Sequence, residues 1–137
     1  MTGQLPTLGF GIGIALACPA PAHSQEVWTG QVKQNSGATD YTVVMRLAGD
    51  GGETDYPELK CGGRLTRVAQ SGAYSFYLEK ITNGTNCIDG AITLVGSNDS
   101  MTWGWVGAYN GKTYVAWSTL TRKSEDHAPG GRGRDQN

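Results

Sequence analysis

Carboxylates are the side chains of this 137-residue chain that could carry acid–base chemistry, because its histidines are poorly placed for it. His23 and His127 lie near the two ends of the chain, which excludes a Ser-His-Asp or Cys-His arrangement within a central domain. A pair of carboxylates could still cleave a glycosidic bond. The candidates are Asp50, Glu53, Asp55, Glu58, Glu79, Asp89 and Asp99. Most fall at predicted turns, where acidic side chains ordinarily face solvent, so we predict no catalytic residues and no enzyme activity.

The sequence contains no motif for binding a metal ion or a cofactor. The chain has no Cys-x-x-Cys pair, and the spacing of Asp50, Glu53 and Asp55 fits no EF-hand loop. No glycine-rich phosphate-binding motif lies between a strand and a helix. We therefore expect neither a metal ion nor a cofactor.

Aromatic side chains are the strongest binding signal. The four tryptophans are many for so short a chain, and two interpretations of them stay open. Trp28, Trp103 and Trp105 could all fill the core, as aromatics do in small domains. Alternatively, some of the aromatics line an apolar pocket at the mouth of a barrel. The candidate ligand-binding residues in that case are Trp105, Tyr109, Tyr114 and Trp117.

The first 24 residues resemble a secretory signal peptide. An apolar run from residue 8 to 17 is too short to span a bilayer, and small residues suited to cleavage follow at 20–24. We therefore expect a secreted or periplasmic protein. Cys18 offers an alternative, because Ala15-Leu16-Ala17-Cys18 loosely matches a lipoprotein signal in which that cysteine carries a lipid anchor. The first seven residues contain no Lys or Arg, and better cleavage sites follow, which favours simple removal.

Once the signal is removed, Cys61 and Cys87 are the remaining cysteines and can pair only with each other. A disulfide is a common supplement to the small core of an exported domain. The formal net charge is −1, so no strong field attracts nucleic acid or an anionic membrane.

Residues 25–122 alternate apolar and polar side chains between closely spaced turn signals, which predicts an all-β domain. Asn110-Gly111 is the clearest hairpin turn, and the turns are short enough for an antiparallel meander of about eight strands. Such a meander curls into a small barrel or a compact sandwich. Residues 123–137 are polar and rich in glycine, which predicts a disordered tail.

Two sequence blocks carry a resemblance to a known domain. Tyr56-Pro57-x-Leu59-x-Cys61-Gly62-Gly63 and Cys87-x-Asp89-Gly90 resemble a small extracytoplasmic β domain of bacteria, also found at the extracellular end of some actinobacterial serine/threonine kinases. The resemblance covers nearly all of residues 27–122 and implies the cysteine pair and structural positions, but no catalytic residues. The architecture is also similar to lipocalin-like and avidin-like barrels, a likeness that does not imply function.

Three functions fit these features. The first is a secreted, non-enzymatic binding module whose ligand is a small molecule, a glycan or an extracellular protein. The second is a protein inhibitor of an extracellular hydrolase that presents a rigid loop near Cys61. The third is a small glycan hydrolase with paired carboxylates. An open cavity favours the first, an exposed rigid loop the second, and two facing carboxylates in a cleft the third.

Overall fold

The computed structural model describes residues 24–124. Cys18, most of the predicted signal segment and most of the predicted tail lie outside this range. Eight strands and one short 3-10 turn account for most of the described chain. They are β1 (Glu26–Gln34), β2 (Tyr41–Ala48), β3 (Gly51–Tyr56), the 3-10 turn (Pro57–Leu59), β4 (Cys61–Ser71), β5 (Tyr74–Asn83), β6 (Gly90–Gly96), β7 (Ser100–Tyr109) and β8 (Lys112–Lys123).

The strands form a closed antiparallel barrel in which each pairs with its neighbours in sequence and β8 pairs with β1. The predicted all-β meander is thus confirmed, as a barrel and not as a sandwich. Closure brings the backbones close together at Gly30, where an added Cβ would lie 2.5 Å from the Thr119 carbonyl oxygen. The Ser118 hydroxyl donates to the Gln31 carbonyl oxygen at 2.6 Å across the same seam. Closure leaves the sheet without a free edge.

Short connections alternate between the two ends of the barrel. We call the upper end the one formed by residues 35–40, 57–60, 84–89 and 110–111, and the lower end the one formed by residues 49–50, 72–73 and 97–99. Asn110 and Gly111 both have positive φ, 51° and 73°, which confirms the predicted type of hairpin turn. Lys60 also has a left-handed φ of 56°, because it ends the 3-10 turn and its N–H bonds the Pro57 carbonyl oxygen.

The core packs inside the barrel, between its two ends. Trp103, Met45 and Leu65 are fully buried there, together with smaller aliphatic side chains. Trp28 is buried as well, and its indole N–H donates to Glu26 at 3.2 Å. Side chains that alternate inward along each strand supply this packing, as expected of a small barrel whose interior is filled.

Strand β5 shows where alternation alone is ambiguous. Tyr74, Phe76 and Leu78 share one face, as the sequence predicts, but that face is the outer one. Tyr77 and Glu79 point inward instead and are buried. An apolar strip therefore crosses the outer surface of β5 to β8. Its successive cross-strand neighbours are Leu78, Ala91, Val106 and Val115.

Within residues 24–124, the structure contains no helix that is long and apolar enough to cross a membrane. The last strand ends at Lys123, one residue beyond the boundary predicted for the domain.

Candidate functional site: a cavity at the upper end

A cavity of about 440 Å³ opens at the upper end of the barrel. This volume falls in the range of protein sites for a single small molecule. The walls come from six of the eight strands and from the connections that follow β3 and β5. The lining residues are Gln34, Tyr41, Tyr56, Leu59, Glu79, Thr85, Asn86, Cys87, Ile88, Trp105, Tyr109 and Tyr114.

Among residues 24–124, Glu79 is the one carboxylate that lines the cavity, and only 3% of its surface is exposed. Three neutral donors hold it in place. The Thr54 hydroxyl and the Tyr56 hydroxyl donate to Oε2 at 2.5 and 2.7 Å, and the Trp105 indole N–H donates to Oε1 at 3.0 Å. The Gly63 N–H donates to Thr54 Oγ1 at 3.1 Å, which extends this network to the backbone of β4.

The charge of Glu79 has no cationic partner among residues 24–124. The four ion pairs of this part of the chain all lie elsewhere on the barrel. Burial raises the pKa of the Glu79 carboxyl above its usual 4.5, the three hydrogen bonds oppose that shift, and the charge of Asp89 adds to it. Burial of each tyrosine, together with the negative charge of Glu79, raises the pKa of Tyr41 to about 12 and that of Tyr56 well above 10.

The indole of Trp105 lies flat against the barrel wall because two glycines make room for it. A Cβ at Gly90 would overlap the indole Nε1, and a Cβ at Gly107 would overlap its six-membered ring. Gly90 is the last residue of the Cys-x-Asp-Gly block, so this block positions the ring that bonds Glu79. Asp89 anchors the same segment, because its carboxylate accepts the Ile81 N–H at 2.8 Å and bonds Lys80 Nζ at 2.6 Å.

The other sequence block surrounds the same cavity. Tyr56 bonds Glu79, and Leu59 lines the wall. At Gly63 an added Cβ would lie 2.7 Å from the Lys80 carbonyl oxygen and 3.1 Å from Glu79 Cγ, so the glycine makes room for the carboxylate-bearing strand. The register of β4 against β5 shifts beside this residue. Cys61 is bonded to Cys87, which confirms the predicted disulfide and ties the 84–89 connection over the cavity wall.

Aromatic rings form much of the remaining surface. Tyr41 meets Tyr56 edge to face, with ring centroids 5.8 Å apart. Tyr109 is 56% exposed and stands at the rim, next to the Asn110-Gly111 turn. Tyr114 is half-buried, and the ammonium of Lys112 lies 5.7 Å from its ring centroid.

The predicted ligand-binding residues divide between the two faces of the barrel. Trp105, Tyr109 and Tyr114 meet in the cavity. Trp117 lies on the outer face, 46% exposed, beside Gly104 of β7. From the sequence, Glu79 is expected only among the solvent-facing carboxylates, and Thr54 and Tyr56 have no expected part in a site. Alternation along β5 puts Glu79 on the same face as Tyr77, but it does not show that this face is the inner one.

The remaining candidate carboxylates do not join Glu79 in the cavity. Asp50 pairs with Arg67 at the lower end, and Glu58 bonds the Thr42 hydroxyl and N–H on the outside of the barrel. Across the described part of the chain, no group of three or more His, Cys, Asp or Glu side chains is arranged to hold a metal ion.

Comparisons of the chain with protein-family models, with curated proteins and with solved structures give no match.

Because of the buried carboxyl of Glu79, the contribution of this group to the free energy of unfolding should fall as pH rises. Because the folded pKa of Glu79 lies above the unfolded value near 4.5, its stabilising contribution is complete below pH 4.5 and is lost as pH rises through the folded pKa. Each tenfold change in the acid dissociation constant is worth about 1.4 kcal/mol. We expect the Glu79→Gln variant to lack this decline when both proteins are unfolded with urea from pH 4.5 to neutrality. Parallel curves for the two proteins would contradict the assignment.

Proposed function

We propose that this protein is a secreted, non-enzymatic binding module that holds a small molecule in the upper cavity. The observation that carries the proposal is the convergence of the two distinctive sequence blocks on that cavity. Tyr56, Gly63 and Gly90 contact or make room for Glu79 and Trp105, and the disulfide closes the wall beside them. Closing the barrel does not by itself require these residues to cluster at one end.

The shape of the cavity supports a binding role over the two other functions. The described residues place a single carboxylate in its lining, whereas glycosidic hydrolysis by the usual route needs two carboxyl groups, one on each side of the bond. The loop beside Cys61 is also not a free projection. Leu59 lines the cavity, and its carbonyl oxygen accepts a hydrogen bond from Asn86 Nδ2 at 3.0 Å. The resemblance to extracytoplasmic bacterial domains and the expected export fit the same role.

The proposal is tested with N-phenylnaphthylamine, a neutral fluorophore whose emission rises in apolar surroundings. We expect the protein to bind this probe and the Trp105→Ala variant to bind it about tenfold more weakly, because the variant removes one wall of the cavity. Titration followed by fluorescence gives both affinities.

Trp117→Ala is the matched control, because it removes the same side chain from the outer face. It should leave the affinity unchanged. Equal losses in the two variants would refute the cavity as the binding site.

A further inference from the structure

In the described part of the chain, the lining of the upper cavity combines one acidic group with several aromatic rings and no basic side chain. Glu79 supplies the charge, and no Lys, Arg or His is among the lining residues. The rings belong to Tyr41, Tyr56, Trp105, Tyr109 and Tyr114. This lining would exclude anions, because the buried carboxylate repels them and no basic side chain of the lining neutralises its charge.

Glu79 is held as a hydrogen-bond acceptor. Its three partners, two hydroxyls and an indole N–H, all donate to it and leave Oε1 with a single hydrogen bond. Removing a carboxylate from water is costly unless an opposite charge pairs with it, and no Lys or Arg of residues 24–124 forms an ion pair with Glu79. A positively charged ligand would supply that missing charge.

The rings around the carboxylate suit the same kind of ligand. The face of an aromatic ring carries negative potential and attracts ammonium groups, most strongly when water is excluded. At the rim, Lys112 Nζ already lies 5.7 Å from the centroid of the Tyr114 ring, so the rings available to a ligand are those deeper in the cavity. Tyr41 and Tyr56 are buried deeper, next to Glu79.

We propose that the upper cavity binds a small organic ammonium cation whose charged group is held by Glu79 and the aromatic rings around it. This inference rests on the proposed binding function and adds the chemical class of the ligand. The cavity volume of about 440 Å³ admits such a cation together with an apolar or aromatic body.

The test compares two molecules of nearly the same shape. Benzyltrimethylammonium carries the charge, and neopentylbenzene replaces its nitrogen with carbon. Each competes with N-phenylnaphthylamine for the full-length protein at about pH 8, where a carboxyl group favours its ionised form. We expect the cation to displace the probe at a concentration about tenfold or more below that of its neutral analogue.

Glu79→Gln should remove this preference, so that the two analogues displace the probe at similar concentrations. Its amide can turn the NH2 group toward the Thr54 and Tyr56 hydroxyls, which can accept as well as donate, and keep its oxygen toward Trp105. Glu58→Gln is the matched control, because it removes an equal charge outside the cavity and should retain the preference.

The outcomes separate the two proposals. Equal displacement by the two analogues, or a preference that persists in Glu79→Gln, would overturn the cation assignment and leave the binding function standing. If the probe does not bind and calorimetry detects neither analogue, the binding function itself fails. Should Glu79→Gln not fold, the comparison of the analogues on the original protein and on Glu58→Gln still decides the ligand class.

Discussion

Replacing Trp103 with alanine should lower the free energy of unfolding by about 3–5 kcal/mol. The Trp103 side chain is completely buried between its cross-strand neighbours Leu94 and Ser118, so its removal leaves a cavity that the closed barrel cannot collapse to fill. Urea unfolding followed by circular dichroism measures the change.

Two matched variants isolate the cause of the Trp103 effect. The indole N–H of Trp103 is buried and has no hydrogen-bond partner among residues 24–124, so Trp103→Phe removes an unsatisfied donor while keeping most of the volume. It should cost much less than Trp103→Ala. Trp117→Ala, on the outer face, should cost little. A loss for Trp117→Ala as large as that for Trp103→Ala would contradict the assignment of Trp103 to the core.

Loss of the disulfide should lower the free energy of unfolding by about 2–5 kcal/mol. The bond joins residues 26 apart in sequence with a Cα–Cα distance of 6.1 Å, and a loop of that length implies about 3–4 kcal/mol of chain entropy in the unfolded state. The double variant Cys61→Ser/Cys87→Ser measures the loss.

The disulfide also borders the cavity, which makes its effect on binding informative. Cys87 and three of its neighbours in the 84–89 connection line the cavity, so freeing this segment should weaken N-phenylnaphthylamine binding as well as stability. In the denatured and unreduced protein, iodoacetamide should label neither Cys61 nor Cys87. Labelling of both would show that the bond does not form.

The sequence predicted the strands well because turn chemistry and alternation agree along most of the chain. Asn110-Gly111 illustrates this agreement, since both residues take the positive φ that the hairpin requires. Alternation along β7 likewise puts Trp103 and Trp105 on one face, which is the inner one, whereas Trp117 of β8, a predicted pocket residue, lies on the outer face.

The carboxylate of the cavity was harder to predict. Around Glu79 the strand carries large apolar side chains on both faces, with Tyr77 on one and Leu78 on the other, so the pattern does not determine which face is inner. The partners of Glu79 come from β3 and β7, far away in sequence. The spatial role of Gly90 and Gly107 is equally hidden, because only the folded position of Trp105 shows why neither can carry a side chain.

Pairing of β1 with β8 places the start of β1 and the end of β8 at the end of the barrel opposite the cavity. Val27 lies opposite Lys123, so the chain enters and leaves the barrel side by side at the lower end. The cavity opens at the other end, beyond the 110–111 turn. Anything joined directly to the barrel at either of these strand ends would therefore lie at the end opposite the mouth and leave the cavity accessible.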